Sequence, residues 1–196
     1  MSLIAGMVTT TGIVMGADSA ITDEAMISTV AGKLFIHKNG PEQKDEMLVA
    51  YAGHGRAAAI WKHVIGQVKH PDNMGVEEFI VAEWLPVFRD LLEDHGALAE
   101  MRNRVGGSNT IFMLGYRDKL FVIDKEFDVD EITEYWADAS GQDFMMGALA
   151  ATYQIGCPPV ATMLNALKAA NKHCMTTSAP FYIARLGGEG GIVRYD

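Results

Sequence analysis

Apolar stretches of two kinds run along this chain, and their grouping constrains the fold more than any other feature. Short runs come first: Leu3–Val8, Ile13–Asp18, Ala31–His37 and Met47–Gly53 each have the length of a strand. The turn-prone Thr9–Gly12 between the first two predicts a β-hairpin, and a polar loop holding Gly40 and Pro41 separates the second two. Helical spacing then takes over. Arg56–Lys69 repeats Ala59, Ile60, His63 and Val64, and Val76–His95 sets Phe79, Ile80, Trp84, Val87, Phe88, Leu91 and Leu92 on one face. Pro86 inside the second pattern predicts a kink. Strands return at Thr110–Tyr116 and Leu120–Asp124 around Arg117–Asp118, with Glu131–Ala137 expected to extend their sheet. Helices follow at Asp143–Gln154 and, after Pro158–Pro159, at Val160–His173. The chain finishes with strands at Pro180–Leu186 and Ile192–Tyr195 around the glycine-rich loop 187–191. Strands and helices are grouped rather than alternating, which argues against a parallel βαβ sheet. The expected architecture is α+β: one domain over 1–196, a four-layer αββα sandwich of two antiparallel sheets flanked by helix pairs.

Charge and motifs remove several function classes. The formal net charge of −9 opposes binding to nucleic acid or to an anionic membrane surface. Two cysteines, Cys157 and Cys174, are too few for a disulfide framework, so a reducing, cytoplasmic setting is expected. No apolar run reaches membrane-spanning length. The six histidines form no HExxH pair and no CxxC pair accompanies them, so zinc chemistry has no motif. No GxSxG elbow supports a Ser-His-Asp triad, and no GxxxxGK[ST] loop supports an ATPase. Gly53–Arg56, "GHGR", could present backbone N–H groups to an anion, but a strand-to-helix turn is the simpler expectation.

Two places offer a hydroxyl nucleophile. Thr9, Thr10 and Thr11 fall at the tip of the predicted hairpin, where β-branched turn residues need no chemical explanation. Ser2 is different. An initiator methionine is readily removed before a small residue, which would give Ser2 a free α-amine with an ordinary pKa of about 7.7–8.0. Such an amine can act as general base for the hydroxyl of its own residue.

The order of motifs around Ser2 resembles the N-terminal-nucleophile hydrolases of the proteasome β-subunit family, and especially their simpler bacterial branch, the HslV peptidases. Asp18 follows Ser2 by sixteen positions within "GIVMGADSAIT", and Lys33 follows Asp18 by fifteen within "AGKLF". "VAYAG" at Val49–Gly53 is similar to the family strand that donates to the oxyanion, and places that donor on the Ala50 N–H. "ASGQDFMMGAL" at Ala139–Leu149 is similar to the segment whose serine supports the nucleophile's amine, here Ser140. "AANKHCMTT" at Ala169–Thr177 resembles the HslV segment whose backbone carbonyls hold a monovalent cation such as Na+, matching Asn171, Cys174 and Thr177. The resemblance spans nearly the whole chain.

What the resemblance implies is peptide-bond hydrolysis with no required cofactor. Ser2 would be the nucleophile, Lys33 paired with Asp18 would tune it, and Ala50 and Ser140 would assist. It also implies polypeptide substrates, a homo-oligomeric ring and an ATP-dependent unfoldase as partner. Two departures stand out: serine replaces the usual threonine, and Ala50 replaces the usual glycine. An amidase acting on a small amide, and an inactive ring or scaffold subunit, are the alternatives.

Overall fold

The first hairpin forms as expected, with β1 at Leu3–Thr9 and β2 at Gly12–Ala17 in antiparallel register. The computed structural model describes residues 2–23, 26–29, 32–39, 45–101, 104–154, 158–187 and 191–196. Both faces of the hairpin are buried because it sits in the middle of a layered stack. Leu3, Ala5, Met7 and Val14 point to one helical layer, and Ile4, Ile13 and Met15 point to the opposite sheet. That is why these strands read as continuous apolar runs rather than alternating ones. Gly6 faces the second sheet so closely that a Cβ there would stand 2.6 Å from Met113 Sδ.

The remaining elements are β3 (Ala20–Asp23), β4 (Met26–Thr29), β5 (Leu34–Asn39), β6 (Asp45–Gly53), α1 (Gly55–His63), α2 (Val76–Phe79), a π turn (Ile80–Trp84) and α3 (Leu85–Asp94). They are followed by β7 (Ala99–Met101), β8 (Arg104–Gly107), β9 (Thr110–Tyr116), β10 (Lys119–Ile123), β11 (Val129–Ile132) and β12 (Tyr135–Ala139). Last come α4 (Gln142–Gln154), α5 (Pro159–His173), β13 (Phe181–Arg185) and β14 (Ile192–Tyr195). One five-stranded sheet has the order β12-β1-β2-β13-β14 and the other β11-β10-β9-β6-β5, all pairs antiparallel. The α4–α5 pair covers the first sheet through Met145, Leu149, Met163 and Leu167. The α1–α3 layer covers the second through Trp61, Phe79, Trp84 and Phe88, with the Trp61 and Trp84 rings packed at a tilt of 40°, 4.0 Å between centroids. Ile4, Ile13, Leu48, Met113 and Leu120 fill the space between sheets. This is the expected αββα sandwich. No helix among the described residues is long and apolar enough to cross a membrane.

Several local expectations are corrected. The first helix stops at His63 rather than Lys69. The Asn39 side chain grips the Val68 backbone from both sides, donating to its carbonyl at 2.7 Å and accepting its N–H at 2.9 Å, which takes that segment out of any helix. At Pro86, where a kink was expected, the helix is interrupted by a π turn rather than ended. Leu85 N–H reaches back five residues to the Ile80 carbonyl, and this widened turn accommodates the proline ring just beyond it. The strand expected over Glu131–Ala137 is two strands: β11 extends the second sheet, and β12 crosses to the first to pair with β1. The short hairpins β3–β4 and β7–β8 were not expected. Gly40 and Pro41, Ala31, Cys157 and the centre of the glycine-rich loop lie outside the described residues.

Candidate active site

The open end of the first hairpin collects the polar residues that the fold buries. Asp18 follows the last residue of β2 and Ser2 precedes the first of β1, so antiparallel pairing brings them to one edge of the stack. Asp18 is fully buried, and Lys33 is only 2% exposed. Asp18 Oδ1 accepts both the Leu3 N–H at 2.8 Å and the Lys33 ammonium at 2.7 Å. Its Oδ2 accepts the N–H groups of Ala20 at 3.1 Å and Ser178 at 3.2 Å. Four donors fill the carboxylate's accepting sites, so Asp18 is built to hold neighbours in place rather than to remove a proton. Because one oxygen binds both the backbone next to Ser2 and the lysine, the position of Ser2 is tied to that of Lys33.

Lys33 donates a second hydrogen bond to the Ala20 carbonyl. Burial pushes its pKa below the ordinary lysine value, while the charge and hydrogen bond of Asp18 act in the opposite direction. Ser2 is held on its other side as well, because the Ser140 N–H donates to the Ser2 carbonyl at 2.7 Å. Ser140 sits between two residues of positive φ, Ala139 at 73° and Gly141 at 80°, in the sharp turn that leads from β12 into α4.

Ser2 and Lys33 line a cleft of about 640 Å³, together with Ile21, Tyr51 and the run Gly53–Arg56. That volume is in the range of small-ligand and substrate sites. The turn expected for "GHGR" is present, and it leads from β6 directly into α1 at the cleft wall. The first N–H groups of α1 and the positive end of its dipole therefore lie beside Ser2.

Ala50 does not reach this cleft. It is fully buried in the middle of β6, opposite Leu34 on one side and Met113 on the other. Two hydrogen bonds fix the direction of each residue along the strand: Tyr51 N–H points to the Lys33 carbonyl at 2.9 Å, and His54 N–H points the other way to Asn109 at 3.4 Å. Successive residues alternate, so the Ala50 N–H is spent inside the sheet on β9. By the same alternation the Gly53 N–H lies on the Lys33 side, and Gly53 lines the cleft. Its φ of +127°, and a Cβ position 2.4 Å from the Asn109 carbonyl oxygen, leave room for glycine alone. The signal that could have found Gly53 was a glycine at a strand end before a helix start. Ser178, 160 positions from the Asp18 it binds, had no sequence signal.

The three threonines are remote. Thr9 Oγ1 donates to the Gly12 carbonyl at 2.7 Å and accepts the Thr11 N–H at 3.2 Å, closing the hairpin tip. Seven residues of strand put that tip about 23 Å from Ser2.

Asn171, Cys174 and Thr177 gather where α5 ends. The Cys174 carbonyl accepts both the N–H of Thr177 at 3.3 Å and its hydroxyl at 3.0 Å. These two bonds close the turn that follows α5. Among the described residues no three His, Cys, Asp or Glu side chains form a group that could hold a metal.

Neither a protein-family model nor a curated protein sequence matches the chain. Solved structures do. BPH from Thiobacillus denitrificans, solved in complex with epoxomicin, superposes with a TM-score of 0.72 at 16% identity, covering 94% of this chain and 98% of that one. Anbu from Pseudomonas aeruginosa, solved as a helical assembly, gives 0.65 at 13% identity over 93% of this chain and 80% of that one. HslV from Trypanosoma brucei gives 0.62 at 16% identity over 93% and 97%. At these identities the likeness establishes a shared fold.

Proposed function

We propose that the chain is an N-terminal-nucleophile peptidase in which Ser2, exposed by removal of Met1, attacks the peptide bond. One observation carries this reading: Ser2, Lys33 and Gly53 line the same cleft, while Asp18 ties the Leu3 backbone to the Lys33 ammonium. The Ser2 α-amine takes the proton from its own Oγ, and Oγ bonds to the substrate carbonyl carbon. The resulting oxyanion faces the Gly53 N–H and the first turn of α1, where donors of this kind stabilise it by about 2.7–4 kcal/mol each. Collapse breaks the C–N bond as the amine returns the proton to the departing nitrogen. Water then attacks the acyl ester, with the amine again as base. Lys33 supplies fixed positive charge beside the reacting serine, which favours the neutral, proton-accepting form of the amine. Ser140 supports that amine through its hydroxyl.

The solved Anbu assembly supports a homo-oligomer, in which an enclosed cleft would admit only unfolded polypeptide. An ATP-dependent unfoldase and a cytoplasmic location belong to the same proposal. Intact mass should show loss of Met1, and epoxomicin or a β-lactone should add to Ser2, as read by peptide mapping. Lys33→Ala should abolish both labelling and cleavage of fluorogenic peptides. Protein lacking Met1 that neither takes the label nor cleaves any peptide would overturn the reading.

A further inference from the structure

A second cavity of about 180 Å³ adjoins the cleft that holds Ser2 and shares Tyr51 and Gly55 with it. Phe35 of β5 and Ala58, Lys62 and His63 of α1 line it. The Lys62 Nζ lies 5.9 Å from the centroid of the Phe35 ring. It would also be 3.9 Å from a Cβ on Gly32, a residue whose φ of +105° favours glycine, so the ammonium overhangs a space left open. Among the described residues, the ionisable side chains lining the two cavities are the bases Lys33, His54, Arg56, Lys62 and His63, with the Tyr51 phenol pushed up by burial and neutral at ordinary pH. This concentration stands out in a chain of net charge −9. Lys33 is matched by Asp18, and Arg56 donates to the His95 carbonyl. Lys62 forms no ion pair among the described residues.

We propose that this cavity receives the substrate side chain on the acyl side of the scissile bond, and that Lys62 selects an acidic residue there. The placement rests on the peptidase reading above. If the attacked carbonyl lies between Ser2 and Gly53, its own residue stands at the start of α1, where the second cavity adjoins the cleft at Tyr51 and Gly55. A carboxylate entering there meets an ammonium that has no counter-ion of its own, whereas an amide of the same shape gains only a neutral contact. A lysine or arginine meets like charge.

The test compares peptides that differ at that one residue, Glu against its isostere Gln, and Glu against Lys. Binding is read by fluorescence anisotropy to full-length Ser2→Ala protein, which cannot turn the peptides over. Peptides ending in Glu should bind about fivefold tighter than those ending in Gln, the size of one partly exposed ion pair. High salt should shrink the gap. Lys62→Gln should bring the ratio close to one, and Lys62→Glu should favour Lys. Lys62 is exposed on α1, so these variants should fold. Equal binding of Glu and Gln peptides, or a Glu preference that survives Lys62→Gln, overturns the proposal. The peptidase reading fails separately: the Glu preference would persist in binding while processed wild-type protein took no label at Ser2.

Discussion

The two ends of the first hairpin present the same kind of side chain in opposite circumstances. At the tip, the hydroxyls of Thr9–Thr11 bond no further than three residues away, and the one long-range bond is from the Arg185 guanidinium to the Thr11 carbonyl among the described residues. At the open end, Ser2 is buried against a carboxylate that gathers donors from Leu3, Ala20, Lys33 and Ser178. A hydroxyl becomes a candidate nucleophile through what is buried beside it, not through its abundance or its neighbours in sequence. The tip's hydroxyls are satisfied locally. The open end is satisfied only when Leu3, Lys33 and Ser178 arrive from three other segments, so substitutions there should be costly and those of the tip side chains nearly silent.

The largest effect should come from Asp18→Ala. It leaves Lys33 charged and buried, and it strips the acceptor from three backbone N–H groups. Removing one partner of a buried pair costs about 3–5 kcal/mol. Lys33→Met should cost less, because Asp18 keeps its three N–H donors. Urea midpoints at unchanged slope give both values. Equal losses in the two variants would show that the carboxylate's backbone partners contribute nothing.

Next in size is the contrast between Gly53 and Ala50, two glycine-or-alanine positions three residues apart on one strand. Gly53→Ala forces a side chain into positive φ and against the Asn109 carbonyl, costing about 1–3 kcal/mol. If Gly53 donates to the oxyanion, kcat should also fall by about 10²–10³. Ala50→Gly removes one buried methyl and should lower stability by about 1 kcal/mol while kcat stays near the starting value. A large kcat loss in Ala50→Gly with none in Gly53→Ala would restore the role to Ala50.

That pair also marks how far the sequence was legible. The Ser2–Asp18 relation could be read because a tight hairpin is local: once its turn is placed, pairing follows along both strands. The grouped strands and helices likewise announced the layers. Which N–H of this strand faces the cleft could not be read, because strand alternation has a period of two and a one-residue difference reverses every N–H. Which direction is free depends on β5 and β9, and the pairing with β9 is about sixty residues away in the chain. The end of α1 was misjudged for a similar reason. Asn39 captures Val68 from 29 positions away, and no helical periodicity encodes that.

A smaller effect should appear in pH dependence. Burial lowers the Lys33 pKa from 10.5, so the folded protein binds the lysine proton less tightly than the unfolded chain does. Below the lowered value both states are charged and the burial penalty is fully present. As pH rises through that value toward 10.5 the penalty is relieved, so this residue's contribution to stability increases. If the Lys33 ammonium tunes Ser2 as proposed, activity should move the opposite way, because that charge is lost. Falling kcat/KM with rising stability in this alkaline window is the expected pattern, and the rise in stability should be absent in Lys33→Met. An activity profile that stays flat across the window would remove Lys33's charge from the mechanism.

The smallest effects belong to the hairpin tip. Thr10 and Thr11 are exposed, and among the described residues the Thr11 side chain makes only the 3.1 Å contact with Thr9 Oγ1. Replacing either with alanine should change stability by no more than about 0.5 kcal/mol and leave turnover untouched. Thr9→Ala should cost somewhat more, because its hydroxyl joins Gly12 and Thr11 and so holds the turn closed. Even so, the register from Leu3 to Ala17 is specified by a hairpin buried on both faces, so a looser tip has no route to move Ser2 relative to Asp18. A tip variant that abolished labelling of Ser2 would mean that the turn, not the buried carboxylate, sets the position of the nucleophile.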